Sequence, residues 1–254
     1  MVQKYKKLPC SDEDYRDFYI FIFFNYKPMI SHFIRLFYPE TCAACQALLL
    51  HQEFVICTRC RHDLPQTMHH LQKDNEVVRK FYGRIPLVYG GALLYFHKKG
   101  AVQELIHHLK YKGQEAIGTA IGHWHGTVLQ RNFPSPYPDF IIPVPLHPRK
   151  QRQRGFNQVD TYAEALAEQL AIPCLRTLLV RQLYSKTQTK KSILGRSEVV
   201  HEIFGLRNAE AYHHNHFLLI DDVITTGSTL EACARELLKI PGAKISIVCM
   251  AMSQ

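Results

Sequence analysis

The sequence predicts an α/β protein, a parallel sheet with flanking helices, preceded by a small metal-binding knuckle. Three observations predict it. From Asp139 onward, short aliphatic runs alternate with stretches of helical period, the pattern of strand–helix–strand crossovers. Cys42-x2-Cys45 is followed after eleven residues by Cys57-x2-Cys60, a spacing that sets four thiolates around one Zn2+. With 254 residues, 46% of them hydrophobic, the chain can bury one α/β core and carry an appendage.

Residues 1–28, charged and then aromatic without a clean period, read as an extension with little role in the fold, and Met29 is an alternative start. Residues 30–39 make an amphipathic turn or two leading into the knuckle. Residues 66–84 are polar and histidine-rich, a linker in which His69 and His70 are expected to be solvated. Residues 87–96 mix aromatic and aliphatic positions and read as a strand or hairpin. Over 101–111, Val102, Leu105, Ile106 and Leu109 recur at helical spacing. A second helix over 115–129 turns Trp124 to its apolar side, and prolines fill the connection 132–138. Residues 140–144 read as a strand, and 158–170 as a helix with Tyr162, Leu166 and Leu170 inward. Residues 175–180 are the next strand and 203–206 a short extended piece. The aliphatic run 217–220 makes a buried parallel strand, 230–239 a helix, and 244–250 close the sheet. The polar stretch 182–202 is long for a compact domain and reads as a mobile functional loop.

The net charge of +9 implies an anionic partner, polyphosphate or nucleic acid. No apolar run reaches membrane-spanning length. The longest, residues 18–24, follows Asp12, Glu13, Asp14 and Asp17, which also spoil a secretory signal, so a cytoplasmic protein is expected. Four sulfur ligands with no water position make Cys42, Cys45, Cys57 and Cys60 a structural zinc site rather than a catalytic one. Cys174, Cys233 and Cys249 read as buried small apolar residues. The fifteen histidines, His107, His108 and the His213, His214, His216 group among them, show no metal spacing.

The chemistry concentrates after the strand at 217–220. Two acids, Asp221 and Asp222, precede a small, hydroxyl-rich turn of Thr225, Thr226, Gly227, Ser228 and Thr229. Unpaired N–H groups at the start of the next helix, the four hydroxyls and the helix dipole make a cradle for one phosphate monoester. Gly227 lets the backbone approach the anion. Asp221 and Asp222 would repel that phosphate at close range; one sugar-length away they accept hydrogen bonds from vicinal ribose hydroxyls. A 5-phosphate and a 2,3-diol on one ligand describe a phosphoribosyl group. The segment resembles the phosphoribosyl-pyrophosphate (PRPP) motif of type I phosphoribosyltransferases over twelve positions.

A second constellation follows the first sheet strand. In residues 143–158, Arg149, Lys150, Arg152 and Arg154 put four cations within six residues with no acid among them, and Gly155 closes the run. Ligands of open α/β sheets bind beyond the carboxyl ends of the strands, so this basic loop, with His147 in it, should face the phosphate cradle. The Pro-Val-Pro-Leu-His-Pro run, the later Arg-Gly-Phe-Asn-Gln, the four-cysteine knuckle, Leu109 to Gly113, and Thr187-Gln188 resemble the ComF family. These are competence-associated proteins of type I phosphoribosyltransferase-like fold. The resemblance covers about residues 33 to 252, and the chain is expected to divide into 1–28 (extension), 29–66 (zinc knuckle), 67–138 (hood and linking helices) and 139–254 (phosphoribosyltransferase-like core). One departure concerns the polar loop: Arg196 and Phe204 fit the family pattern, but Val199 stands where an asparagine is usual.

The resemblance implies an enzyme that binds PRPP, or another phosphorylated ribose, with Mg2+ and transfers the phosphoribosyl group to a nitrogen acceptor. Asp221, Asp222, Arg149 and Arg154 are the expected catalytic residues. Thr225, Thr226, Gly227, Ser228, Thr229, His147, Lys150 and Arg152 join the two acids in binding. A non-catalytic competence factor that binds single-stranded DNA, or a PRPP-sensing regulator on the same fold, is the alternative. A partner in the competence machinery belongs to either.

Overall fold

The computed structural model describes residues 39–182 and 203–253. Its strands are β1 (Tyr89–Phe96), β2 (Phe140–Pro143), β3 (Leu179–Gln182), β4 (Ile203–Leu206), β5 (His216–Ile224) and β6 (Lys244–Ser253). Its helices are α1 (Thr58–Asp63), α2 (Glu76–Lys80), α3 (Ala101–Tyr111), α4 (Ala116–Asn132), α5 (Pro148–Arg154), α6 (Asp160–Leu170) and α7 (Ser228–Leu237). The expected extension, the turns over 30–38 and the polar loop with Thr187, Gln188, Arg196 and Val199 lie outside the described residues.

The main sheet is all parallel in the order β1-β6-β5-β2. Phe217, Leu218, Leu219 and Ile220 are all buried, as a parallel strand covered on both faces requires. Alternation along β5 sends Leu218 and Ile220 into one core with α3, α4 and α6, and Phe217 and Leu219 into another with α2 and α7. The helix predicted over 101–111 buries Val102, Leu105, Ile106 and Leu109 as its spacing requires. Trp124 is likewise buried in α4.

Three expectations are corrected here. Residues 244–250 do not close the sheet; β6 is an inner strand between β5 and β1. The edge strand β1 comes from the 67–138 segment, so the core is not confined to 139–254; Ala92, Leu93 and Leu94 are buried enough to need both neighbouring layers. Residues 175–180 also leave the parallel sheet. Cys174 makes a lone parallel bridge to Ile141, exposed Arg176 and Thr177 follow, and β3 then pairs antiparallel with β4. This ribbon lays Leu179 and Phe204 on the α7 side of the core.

His69 is not solvated but buried. Its Nδ1 accepts the Ala92 N–H at 3.2 Å, so Nε2 carries the proton and donates to Glu76 at 2.7 Å. Cys174 is half-buried rather than buried, while Cys233 and Cys249 are fully enclosed.

On α4, Gly118, Gly122 and Gly126 recur every fourth residue on the face against α6. A Cβ at these positions would lie 2.2 Å from Thr161 Oγ1, 2.6 Å from Ala165 Cβ and 2.6 Å from Gln169 Cβ respectively. The two helices therefore touch almost backbone to backbone. The cysteine knuckle joins the same core, since Cys42, Ala43, Ile56, Cys57 and Leu64 pack in one cluster with Leu105 and Ile121. Among the described residues, no helix is long and apolar enough to cross a membrane.

Candidate functional site

Strand β5 runs four residues past its expected end, so Asp221 and Asp222 are strand residues and not part of the turn. The turn that follows is short: Gly227 is left-handed at φ 79° and α7 begins at Ser228. Glycine is required there twice over, because a Cβ would also come within 2.9 Å of Phe81 Cζ. Thr225, Thr226 and Ser228 are exposed and Thr229 half-buried. Thr226 Oγ1 lies 3.0 Å from Ser228 Oγ and accepts the Ser228 N–H at 3.4 Å. Arg84 clamps this turn from outside. Its guanidinium donates to the Thr226 carbonyl at 3.2 Å and pairs with Glu231, which also holds Arg235 at 2.8 Å.

The two acids have different surroundings. Asp222 is buried; Lys110 Nζ stands 2.9 Å from its Oδ1, and Gln158 Nε2 donates to Oδ2 at 2.7 Å. Gln158 in turn accepts from Arg154 at 2.6 Å, and the Arg154 guanidinium lies 5.1 Å from the centre of the Tyr111 ring. The end of α3, the α5–α6 turn and β5 thus meet at Asp222. Asp221 instead turns one oxygen back to accept the Asp222 N–H at 2.8 Å. Burial, and then the neighbouring charge of Asp222, push its carboxyl up to about 7.

The basic loop is a helix. Pro148 occupies its first turn, His147 Nδ1 accepts the Arg149 N–H at 3.1 Å as the N-cap, and Gly155 ends it at φ 83°. Arg149, Lys150 and Arg152 are exposed on it. Of the four cations, Arg154 is the one that the described hydrogen bonds link to Asp222. Lys110, Gln158 and Arg84 are the site residues that sequence reading missed. Lys110 lay in a motif noted for its order alone, and Gln158 at the end of the basic run.

At the knuckle the four cysteine sulfurs lie within 4.8 Å of one another. The Cys57 N–H donates to Cys42 Sγ at 3.3 Å and the Cys60 N–H to Cys57 Sγ at 3.4 Å. Burial pushes the Cys42 thiol up, but the N–H groups of Cys57, Cys45 and Ala44 outweigh it and bring it to about 7. Four converging sulfurs, two of them receiving N–H donors, fit a tetrahedral zinc. Glu104, His107 and His108 also bring ligand atoms within 4.8 Å of one another, although the histidines show no metal spacing in the sequence. There the Lys112 ammonium, 3.0 Å from His108 Nε2, opposes a second cation.

The phosphoribosyl transferase domain family matches residues 161–253. Competence protein F of Haemophilus influenzae is 35% identical over 111 residues, 43% of this chain and 48% of that protein. Competence protein ComFC of Bacillus subtilis is 29% identical over 203 residues, 79% of this chain and 78% of that protein. The match therefore spans about half the length of the first relative and over three quarters of the second. Among solved structures, a purine phosphoribosyltransferase from Pyrococcus horikoshii aligns over 53% of this chain and 73% of its own, with 20% identity and a TM-score of 0.35. Likeness at that level carries no functional argument.

Proposed function

Because the chain belongs to the ComF family of phosphoribosyltransferase-like competence proteins, we propose that it binds PRPP with Mg2+ and transfers the phosphoribosyl group to a nitrogen acceptor. We place it in the cytoplasm, in the setting of DNA uptake. The observation that carries the reading is the junction of β5 and α7. An exposed hydroxyl turn opening a helix stands there directly beyond two carboxylates.

In the proposed reaction the bond from C1 to pyrophosphate breaks, its electron pair leaves with the pyrophosphate, and the acceptor nitrogen bonds to C1. The chain's task is positioning and charge neutralisation. Thr225, Thr226, Ser228 and Thr229 hold the 5-phosphate, with Gly227 shaping the turn. Asp221 and Asp222 accept hydrogen bonds from the ribose hydroxyls. Arg149, Lys150, Arg152 and Arg154 face the pyrophosphate, with His147 fixing the start of their helix. Bound Mg2+ would neutralise charge on the leaving group. Zinc on Cys42, Cys45, Cys57 and Cys60 would serve the fold.

Calorimetry with Mg–PRPP tests this. At pH 8 or above, where Asp221 is mostly ionised, Asp221→Asn combined with Asp222→Asn removes two charge-assisted contacts, each of about 1.5–3 kcal/mol, and should weaken PRPP by roughly two to four powers of ten. Inorganic phosphate should bind the double variant at least as well as wild type. Normal PRPP binding by the variant would reduce the motif to a structural turn.

One observation favours a second reading, a factor that binds single-stranded nucleic acid without turnover. Tyr111 is 64% exposed under the Arg154 guanidinium, with exposed Arg149, Lys150 and Arg152 on the same short helix as Arg154. Steeply salt-dependent strand binding, without pyrophosphate release for any nucleobase acceptor, would select that reading. PRPP binding without turnover would select a sensing regulator.

A further inference from the structure

Lys110 reaches Asp222 from the end of α3, and the reaction proposed above gives it no task. Its ammonium and the Gln158 amide between them engage both oxygens of the carboxylate. The Asp222 side chain is 7% exposed and that of Lys110 22%. The ammonium takes one of the two lone pairs of Oδ1 and competes with ribose hydroxyls for that nearly buried oxygen. Of the two partners, the lysine can leave, because it is the more exposed and sits on a flexible four-carbon stem. Gln158 stays, held by Arg154.

Removing the ammonium strands a nearly buried carboxylate, which is costly unless a new cation and new donors take its place. Ribose hydroxyls alone supply donors and no charge. A ligand that carries a divalent cation on its pyrophosphate supplies both, and its phosphates also give the displaced ammonium an anion to meet. We propose that Lys110 is a specificity-determining latch. It holds Asp222 against sugar phosphates that lack pyrophosphate and its cation, and yields to those that carry both. The inference rests on the phosphoribosyl reading of the same site.

The test is calorimetry at constant Mg2+ with two probes, PRPP and ribose 5-phosphate, on wild type, Lys110→Met and Lys110→Gln. The glutamine variant keeps a donor toward Asp222 without the charge, and melting curves report whether each variant is folded. Both variants should tighten ribose 5-phosphate and cut the preference for PRPP by about tenfold or more. A preference unchanged in the folded variants overturns the latch and leaves Lys110 a structural partner of Asp222. Equal loosening of both ligands also overturns it, making Lys110 a general anion contact. Wild type binding neither probe overturns the phosphoribosyl reading, and the latch with it.

Discussion

Asp222 gives its two oxygens to Lys110 and Gln158, whereas Asp221 accepts the N–H of Asp222 and lies under the influence of its neighbour's charge. Burial and that charge raise Asp221 to about 7. In an unfolded chain an aspartate titrates near about 3.9. Between those values the folded protein keeps this proton and the unfolded chain does not, so the contribution of Asp221 to stability should fall as pH rises from about 4 to about 7 and then level off, against the opposite trend of buried histidines such as His125, which burial holds down at about 3. Asp221→Asn should remove that contribution and raise stability at pH 8 relative to wild type, on the order of 1 kcal/mol or more. Urea unfolding of both proteins at pH 5 and pH 8 measures it; a difference between wild type and variant that is the same at both pH values assigns the proton to another group. The acids and hydroxyls of this site were legible because they are contiguous. Lys110 and Gln158 were not, since they stand 112 and 64 positions from Asp222 and no local rule pairs residues so far apart.

Elements were legible where they bury an apolar face. The α3 helix shows its period because four of its residues enter the core, whereas α5 buries none and its proline start and glycine stop were read as a loop. The β3 strand has the composition of a sheet strand; its exclusion follows from which partner it finds, and a local pattern does not record that. The glycine repeat of α4 was present in the sequence but silent, since its meaning lies in α6. A side chain at Gly122 would meet the Tyr162 carbonyl at 2.9 Å as well as Ala165. Because backbone on α6 is part of the obstacle, repacking of side chains alone cannot relieve it. Gly122→Leu should therefore destabilise by about 1–3 kcal/mol or more, read as a lower denaturant midpoint. An unchanged midpoint would mean that the helices separate freely and that their close approach is incidental.

At the scale of the molecule, the parallel sheet and its covering helices follow from the alternation of aliphatic and amphipathic runs. The boundary between hood and core does not, because β1, from the 67–138 segment, pairs with β6 in the main sheet. The knuckle bears on the whole for a related reason. Cys42 and Cys57 are buried in the same cluster as Leu105, Leu109 and Ile121, so the thiolate cage is continuous with one of the two main cores. If zinc holds that cage, removing it leaves four converging sulfurs without a common ligand inside packed structure, and the damage should spread beyond residues 39–64. Chelation, or Cys57→Ser, should then lower the single melting transition by roughly 5 °C or more, about 2–4 °C being lost per kcal/mol at this chain length. An independent knuckle would instead melt early and leave the main transition in place. Elemental analysis finding no zinc in the untagged protein, or a Cys57→Ser variant melting like wild type, would sink the assignment. A main transition that survives chelation unshifted would show that the shared core does not depend on the metal.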